Sequence, residues 1–420
     1  MTITAVRGFN DILPGDSFVW KFVEQSAWRV FASYGYSEIK VPVVEKTELF
    51  MRSIGETTDI VEKEMYSFAD RHGDGLTLRP EGTASVVRAY IEHKLYTKPV
   101  NKLYYHGPMF RYERPQKGRY RQFYQIGAEV LGSAHPHMDA EAIEMLVRFF
   151  TEIGLTGITL HINSLGCSEC RPGYKAALIG FLEGVKDRLC ENCRRRIAAN
   201  PLRALDCKST GCIEATRSAP AITGSLCDGC ADHFGKVKVS LSARGIVAVI
   251  NPRMVRGLDY YTKTTFEITA SGLGAQNAVA AGGRYDGLVS DLGGPATPCF
   301  GFAMGMERVV LLLQETGLEA RGIRPDAVCA FIPIGAQAID AGTGIVKGWR
   351  QAGLSVIEIF DEGALKSRMK MADRLGARFA VILGEDELKA GLVTIKDMKT
   401  AGQTQVRLAD AAAELAKAAL

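Results

Sequence analysis

A chain of 420 residues with a formal net charge of +4 is longer than one hydrophobic core usually supports, so two or three domains are expected. Its 47% hydrophobic and 23% charged content suits a globular protein, and no apolar run approaches the ~20 residues that span a bilayer. Residues 1–15 lack a basic start followed by an apolar stretch, so no secretory signal is expected and the cytoplasm is the default compartment. The net charge is too small to announce nucleic-acid binding by itself. Its distribution is uneven, however: Lys98, Lys102, Arg111, Arg114, Lys117, Arg119 and Arg121 stand against one acid, Glu113.

In chain order, residues 17–34 place Val19, Phe22, Val23, Val30 and Phe31 at helical spacing, and Gly35 supplies a stop. Residues 38–44 alternate, with Ile39, Val41 and Val43 on one side, which predicts a strand; Pro42 within it puts that strand at an edge or interface. Short strands are predicted at 65–68 and 76–79 around a turn-rich 69–75, then a helix from Thr83 to about Leu95. Two longer strands, 102–111 and 123–131, flank the basic loop. Across 151–240 the character changes, with eight of the ten cysteines among Arg-rich helical segments. Strands resume at 246–250, 264–269 and 278–281, and 300–305 runs into a helix at 306–314. After a linker at 321–326, strand and helix alternate: 327–333, a helix through Trp349, 354–359, 365–375 and 379–383. That pattern predicts a small βαβ domain with a largely parallel sheet. The Ala-rich last dozen residues read as helix.

If 123–131 is a strand, Tyr124, Ile126, Ala128 and Val130 share an apolar face that packs on helices. The other face carries Gln125 and Glu129 either side of Gly127, which leaves room above the sheet. A buried Gln–Glu pair is costly without hydrogen bonds, so the face wants a ligand or is a solvated sheet surface. Arg111 and Arg119 lie at the ends and tip of the preceding hairpin, and a forked guanidinium suits phosphate oxygens. Gly301, Ala303 and Gly305 put small residues on one strand face, where a flat ring or simply close packing fits, with Arg308 in the following helical turn.

These stretches are similar to known motifs. Gly35-Tyr36 with Glu38-Ile39 and Pro42 resembles motif 1 of class II aminoacyl-tRNA synthetases, 111–121 resembles motif 2, and 301–308 resembles motif 3. The runs Arg256-Gly257-Leu258-Asp259-Tyr260-Tyr261 and Ala281-Gly282-Gly283-Arg284-Tyr285-Asp286-Gly287 resemble signatures of the histidine-specific family in that class. Leu78-Arg79-Pro80-Glu81-Gly82-Thr83 resembles its amino-acid loop. The match runs from Gly8 to about Leu408, whereas Walker-type and class I synthetase signatures are absent from the sequence.

The resemblance implies a histidine–tRNA ligase that makes histidyl-adenylate and pyrophosphate from L-histidine and ATP with Mg2+, then transfers histidine to its tRNA. It implies that Glu81, Thr83 and Gln125 hold the α-ammonium. Glu129 and Tyr261 would address the two ring nitrogens, with Tyr260 and Tyr285 beside them, as an imidazole needs a partner at each nitrogen. Arg256 would bridge the histidine carboxylate and the α-phosphate as the catalytic arginine. Arg111, also catalytic, would contact the α-phosphate and help bind histidine, Arg119 and Arg308 would hold the γ-phosphate with Arg308 also beside adenine, and Glu113 would orient adenine or a magnesium-bound water. The implied fold is α+β: an antiparallel catalytic domain over 1–320 with a helical, Cys-rich insertion at about 168–240, and an α/β anticodon-binding domain over 326–420. A homodimer is implied through motif 1. Two alternatives share much of this pattern, a class II synthetase for threonine, proline or glycine, and a histidine-binding regulatory paralogue of histidine biosynthesis. Glu129 and the 256–261 run weigh against the former, and the complete arginine set against the latter.

Cys167/Cys170, Cys190/Cys193 and Cys227/Cys230 form three Cys-x-x-Cys pairs, with Cys207 and Cys212 between. Two such pairs can build a tetrahedral zinc site. The expected ligands are Cys190, Cys193, Cys227 and Cys230, in a structural role; reduced, unliganded thiols are the alternative.

Overall fold

The computed structural model describes residues 2–54, 58, 60–255, 257–271, 277–318, 323, 328–360 and 363–419. Two compact units result, Met1–Ile323 and Arg324–Leu420. The expected linker at 321–326 lies outside the described residues except for Ile323, which is buried.

The first unit is organised by an eight-stranded sheet. Its strand order is Ser37–Glu38, Asn101–Phe110, Gln122–Leu131, Cys299–Gly305, Ala278–Arg284, Thr262–Ala270, Ile158–Ser164 and Ala248–Ile250. The two outermost pairings are parallel and the five inner ones antiparallel. One face is covered by the helices Pro14–Ser33, Pro136–Glu152 and Met306–Glu315. Helix Pro14–Ser33 starts on Pro14, whose fixed φ suits a first helical turn, and buries Val19, Val23, Ala27, Val30 and Phe31 in one stripe. Phe31 sits edge-on to Tyr104, Phe149 and Phe302, joining helix to sheet. Ile126, Ala128 and Val130 join the same core, so the apolar face read from the sequence is the helix-covered one. The opposite face is left for the site.

Residues 38–44 do not form one strand. Ser37–Glu38 pairs with the main sheet, whereas Val44–Lys46 joins Gly75–Leu78 and Tyr66–Ala69 in a separate three-stranded sheet. Pro42 lacks the N–H a ladder needs. Between the two pieces, the buried Arg79 guanidinium donates to the carbonyls of Val41, at 2.9 Å, and Pro42. A side chain therefore satisfies backbone that a strand would have satisfied.

The strand Ile158–Ser164 was not legible in the sequence. The helices after it, Cys170–Gly184, Glu191–Ala199, Thr210–Ala215 and Asp228–Ala243, form the Cys-rich segment. It has its own small core around Tyr174, Leu178, Leu182, Ile197 and Ile222. Asp228–Ala243 packs back on Pro136–Glu152, where the His233 ring meets the buried Asp139 carboxylate at 2.9 Å.

The second unit is a five-stranded sheet in the order Ser355–Glu358, Val328–Ile334, Phe379–Gly384, Leu392–Asp397, Gln403–Arg407. The first three strands are parallel, linked through the helices Ala336–Gln351 and Leu365–Arg374, as the alternation predicted. The last two add antiparallel pairings, so the sheet is mixed rather than largely parallel. Phe331 packs edge-on to Trp349 at 5.7 Å, in the centre of its core.

Candidate active site

A cavity of about 320 Å³ opens on the uncovered face of the large sheet. Its floor follows from register: Gly301 lies opposite Glu129, Ala303 opposite Gly127 and Gly305 opposite Gln125. The Glu129 carboxylate is fully buried. The Thr83 hydroxyl donates to one of its oxygens at 2.8 Å and the Tyr285 hydroxyl to the other at 2.5 Å, with the Tyr105 hydroxyl at 3.5 Å. Burial pushes its carboxyl up to about 8, against the opposing pull of those hydroxyls.

Two glycines owe their presence to this arrangement rather than to a ligand ring. A Cβ on Gly301 would stand 1.6 Å from a Glu129 oxygen, so the small residue there accommodates the carboxylate. A Cβ on Gly127 would stand 2.3 Å from the Tyr105 ring. The room above Gly127 expected for a ligand is therefore filled by Tyr105 from the adjacent strand, where the two residues are partners. Ala303 and Gly305 do line the cavity.

Beside this floor, Glu81 accepts from the backbone N–H groups of Thr83 at 2.7 Å and Ala84 at 2.8 Å. It thereby caps the first turn of helix Thr83–Glu92, and burial raises its carboxyl pKa. Gln125 presents a buried Oε1 without a hydrogen-bond partner among the described residues. Glu81, Thr83, Gln125, Tyr260 and Tyr261 line the cavity. Glu129 and Tyr285 do not; they stand behind Thr83 and the tyrosine pair, whose rings are 4.7 Å apart.

The other end is cationic. Arg111 leaves the strand Asn101–Phe110, donates from Nε to the Pro80 carbonyl at 2.8 Å and lies over the Phe123 ring. Glu113 sits between Arg111, at 3.9 Å, and Arg119, with which it forms an ion pair. Arg308 donates to the carbonyls of Gly118 and Ala278. Burial lowers the pKa of all three arginines, and the mutual repulsion of the guanidiniums lowers those of Arg119 and Arg308 further. Arginine stays charged under such shifts, so the cavity gathers like charges at a cost that a polyanion would relieve.

Sequence reasoning missed Tyr105, Phe123 and Glu307. Phe123 lines the cavity beneath Arg111. Glu307 accepts from the Tyr124 N–H at 2.8 Å, and burial raises its carboxyl to about 7. Phe123 shares the strand face of Gln125 and Glu129, and Glu307 lies inside the 301–308 run, but an aromatic in a strand and an acid in a first helical turn look unremarkable until the two elements are juxtaposed. Arg284, inside the 281–287 run, is a fully buried structural ion rather than a ligand group: it pairs with Asp139 at 2.7 Å and Asp286 at 3.0 Å.

Arg256 lies outside the described residues. Its surroundings are held from the Cys-rich segment, where Arg203 donates to the Gly257 carbonyl at 2.6 Å and Asn200 to Asp259 at 3.2 Å.

The expected grouping of Cys190, Cys193, Cys227 and Cys230 is not what the fold makes. Cys227 and Cys230, at the start of helix Asp228–Ala243, meet Cys167 and Cys170. Cys190 and Cys193 meet Cys207 and Cys212. Each pair finds its complement in a different neighbour.

Comparison with known proteins bears on this geometry. The family model described as histidyl-tRNA synthetase matches residues 8–169 and 211–309, and one described as anticodon binding domain matches 328–418. A histidine–tRNA ligase of Geobacter sulfurreducens is 58% identical over 407 residues, covering 97% of each chain. One from Nitratidesulfovibrio vulgaris is 52% identical over 406 residues, covering 96% of each. Among solved structures, apo histidyl-tRNA synthetase of S. aureus superposes with a TM-score of 0.80 at 36% identity, covering 98% of this chain and 99% of that one.

Proposed function

As the chain belongs to the histidyl-tRNA synthetase family and is a histidine–tRNA ligase with an anticodon-binding domain, we propose a division of labour among the residues of its cavity. The observation that carries it is that one cavity joins a carboxylate- and hydroxyl-built end to a three-arginine end. An amino acid and a nucleoside triphosphate demand those two chemistries.

At the first end, Gln125 Oε1, Glu81 and the Thr83 hydroxyl receive the α-ammonium; an unpartnered buried acceptor is stabilised by such a donor. Tyr261 takes one ring nitrogen. Glu129 takes the other by exchanging its bond from Thr83 for one from the ligand, with Tyr285 keeping its second oxygen fixed. Tyr260 packs between them. Free histidine titrates near ~6.5 and Glu129 near 8, so between these values the two groups share one proton without uptake or release.

At the second end, Arg111 neutralises the α-phosphate and the histidine carboxylate, and Arg119 and Arg308 hold the γ-phosphate. Glu113 screens Arg119 and Arg111 from each other and would face adenine or a water on Mg2+, an ion that would supply further charge shielding to the phosphates. Arg256, carried by the 253–261 segment, bridges carboxylate and α-phosphate. The carboxylate oxygen attacks the α-phosphorus, the bond to the β-phosphate oxygen breaks, and pyrophosphate leaves. No protein base is required; positioning and charge neutralisation supply the acceleration. The hairpin 116–121 faces the tRNA acceptor end, and the terminal ribose hydroxyl then displaces AMP. The fold shared with an ATP phosphoribosyltransferase regulatory subunit/histidyl-tRNA synthetase of Bacillus halodurans, 19% identical, concerns the scaffold alone.

The test is pyrophosphate exchange into ATP with each of the twenty amino acids. Exchange with histidine only, abolished in Arg256→Ala, is expected; an active Arg256→Ala enzyme removes that catalytic role. We further propose a homodimer in the cytoplasm, checked for assembly by light scattering.

A further inference from the structure

We propose that the chain binds two structural zinc ions, one in each four-cysteine cluster, and that the first of them positions Tyr261. The four sulfurs of each cluster lie within 4.8 Å of one another. Within them, Cys167 and Cys170 are separated by 3.6 Å, Cys167 and Cys227 by 3.8 Å, and Cys190 and Cys207 by 3.9 Å. Four thiolates at ~2.3 Å from one zinc in tetrahedral array stand ~3.8 Å apart, so this is the spacing of ligands around a single ion. It leaves no room for the inorganic sulfides of an iron–sulfur cluster. All ten cysteines are free, and a disulfide would use two sulfurs of a cluster and leave two others crowded against it.

The surroundings are those of thiolates. The Cys227 N–H donates to Cys170 at 3.1 Å, and the Cys190 N–H donates to Cys212 at 3.1 Å. Helices begin at Cys170, just after Cys190 and just after Cys227, so the positive ends of three helix dipoles fall on the sulfurs. Each cluster alternates buried and half-buried cysteines, closed to exchange yet reachable during folding. Binding releases the thiol protons and leaves four sulfur–zinc bonds per site. The family model skips residues 170–210, so the cysteines within that stretch lie outside the part of the chain it describes.

The two sites differ in what they hold. The second, Cys190–Cys193–Cys207–Cys212, closes the segment on itself. The first joins the end of strand Ile158–Ser164 to helix Asp228–Ala243. Next to Cys170, Arg171 donates to the carbonyl of Leu165 at 3.1 Å and to that of Tyr261. Lys263 N–H donates to the Gly166 carbonyl at 2.8 Å. The first site thus fixes the backbone carrying Tyr261, a positioning role that rests on the assignment of Tyr261 to the histidine ring.

The experiment is metal analysis of the full-length chain, purified without added metal or chelator, with zinc supplied as the probe to metal-depleted samples. Two zinc per chain are expected, one in Cys167→Ser/Cys170→Ser and one in Cys207→Ser/Cys212→Ser. No zinc in the unaltered chain, with native-state thiol reagents reacting freely at the cluster cysteines, overturns both sites; iron in place of zinc overturns the metal assignment. In the first double variant the histidine KM should rise by about tenfold, the size of a lost outer-shell support, with ATP KM unchanged. The second should raise histidine KM less than the first, because its segment reaches the 257–259 backbone only through Arg203 and Asn200. Loss of zinc from the first site without a change in histidine KM overturns the positioning role while leaving the metal sites standing, and pyrophosphate exchange reports separately on the activity.

Discussion

The two ends of the cavity solve opposite electrostatic problems. At the end assigned above to histidine, Glu81, Thr83, Glu129 and Tyr285 are already engaged by one another and by backbone N–H groups, through contacts of 2.5–2.8 Å. At the cationic end, Arg111, Arg119 and Arg308 are gathered against their mutual repulsion, each tied by carbonyls or by Glu113. The first end is a preformed template that selects by shape and hydrogen-bond count. The second gathers cations whose repulsion an incoming polyanion would relieve. On the proposed assignment, specificity would belong to the buried carboxylate side and rate to the guanidinium side.

The largest break in that comparison comes from the cationic end. Arg111→Ala should lower histidine-dependent pyrophosphate exchange by ~10²–10³-fold, the loss typical of one preorganised charge-stabilising donor, with circular dichroism unchanged. Retention of activity within a few fold would show that the α-phosphate is neutralised elsewhere.

Glu129→Gln attacks the template instead. Histidine KM should rise by ~10–100-fold while ATP KM moves less than about twofold, because a site built on polar pairing suffers when one partner is lost. The pH profile sharpens this. With Glu129 near 8, the unaltered enzyme should lose histidine affinity as pH rises above 8, where the shared proton is gone, and the variant should lack that limb. Stability gives an independent reading. The folded-state value stands above the unfolded one, so the contribution of Glu129 is fully present below ~4.5 and lost as pH rises through about 8. The melting temperature of the unaltered chain should therefore fall more steeply over that window than the variant's.

Tyr285→Phe is a milder test of the same end. It removes a hydroxyl that lowers the Glu129 value, so the alkaline limb should move upward with a few-fold rise in histidine KM; a limb that stays in place would separate Tyr285 from Glu129. Gly301→Ala is read in stability rather than in activity. Its methyl meets the Glu129 carboxylate, and overpacking of this kind costs about 1–3 kcal/mol, read by denaturant unfolding. A variant as stable as the parent would mean that the carboxylate swings freely.

Much of this was legible in the chain. Alternation along 123–131 separated the helix-covered face from the Gln125–Glu129 face, because side chains on a strand alternate with a period of two whatever surrounds them. Gly35 marked the end of helix Pro14–Ser33, whose start on Pro14 precedes the expected start at residue 17 by three residues, and strand–helix alternation gave the parallel half of the second unit. The motif residues Arg111, Glu113, Arg119 and Arg308 were named from sequence, and the fold brings all four to one cavity.

What remained hidden depended on partners distant in sequence. Tyr105 fills the space above Gly127 because strand pairing sets them opposite each other, a register no local pattern states. Pro42 splits a run of alternating residues because Arg79, 37 residues on, offers its carbonyl a donor. The hairpin Leu392–Asp397/Gln403–Arg407 turns a parallel sheet into a mixed one through an edge that only the assembled strands expose. The cysteines show the division most plainly: their types and spacings determined that metal sites were conceivable. Which four sulfurs converge was decided by the packing of the segments that carry them, because Cys-x-x-Cys spacing fixes two ligands locally and leaves the other two to tertiary packing.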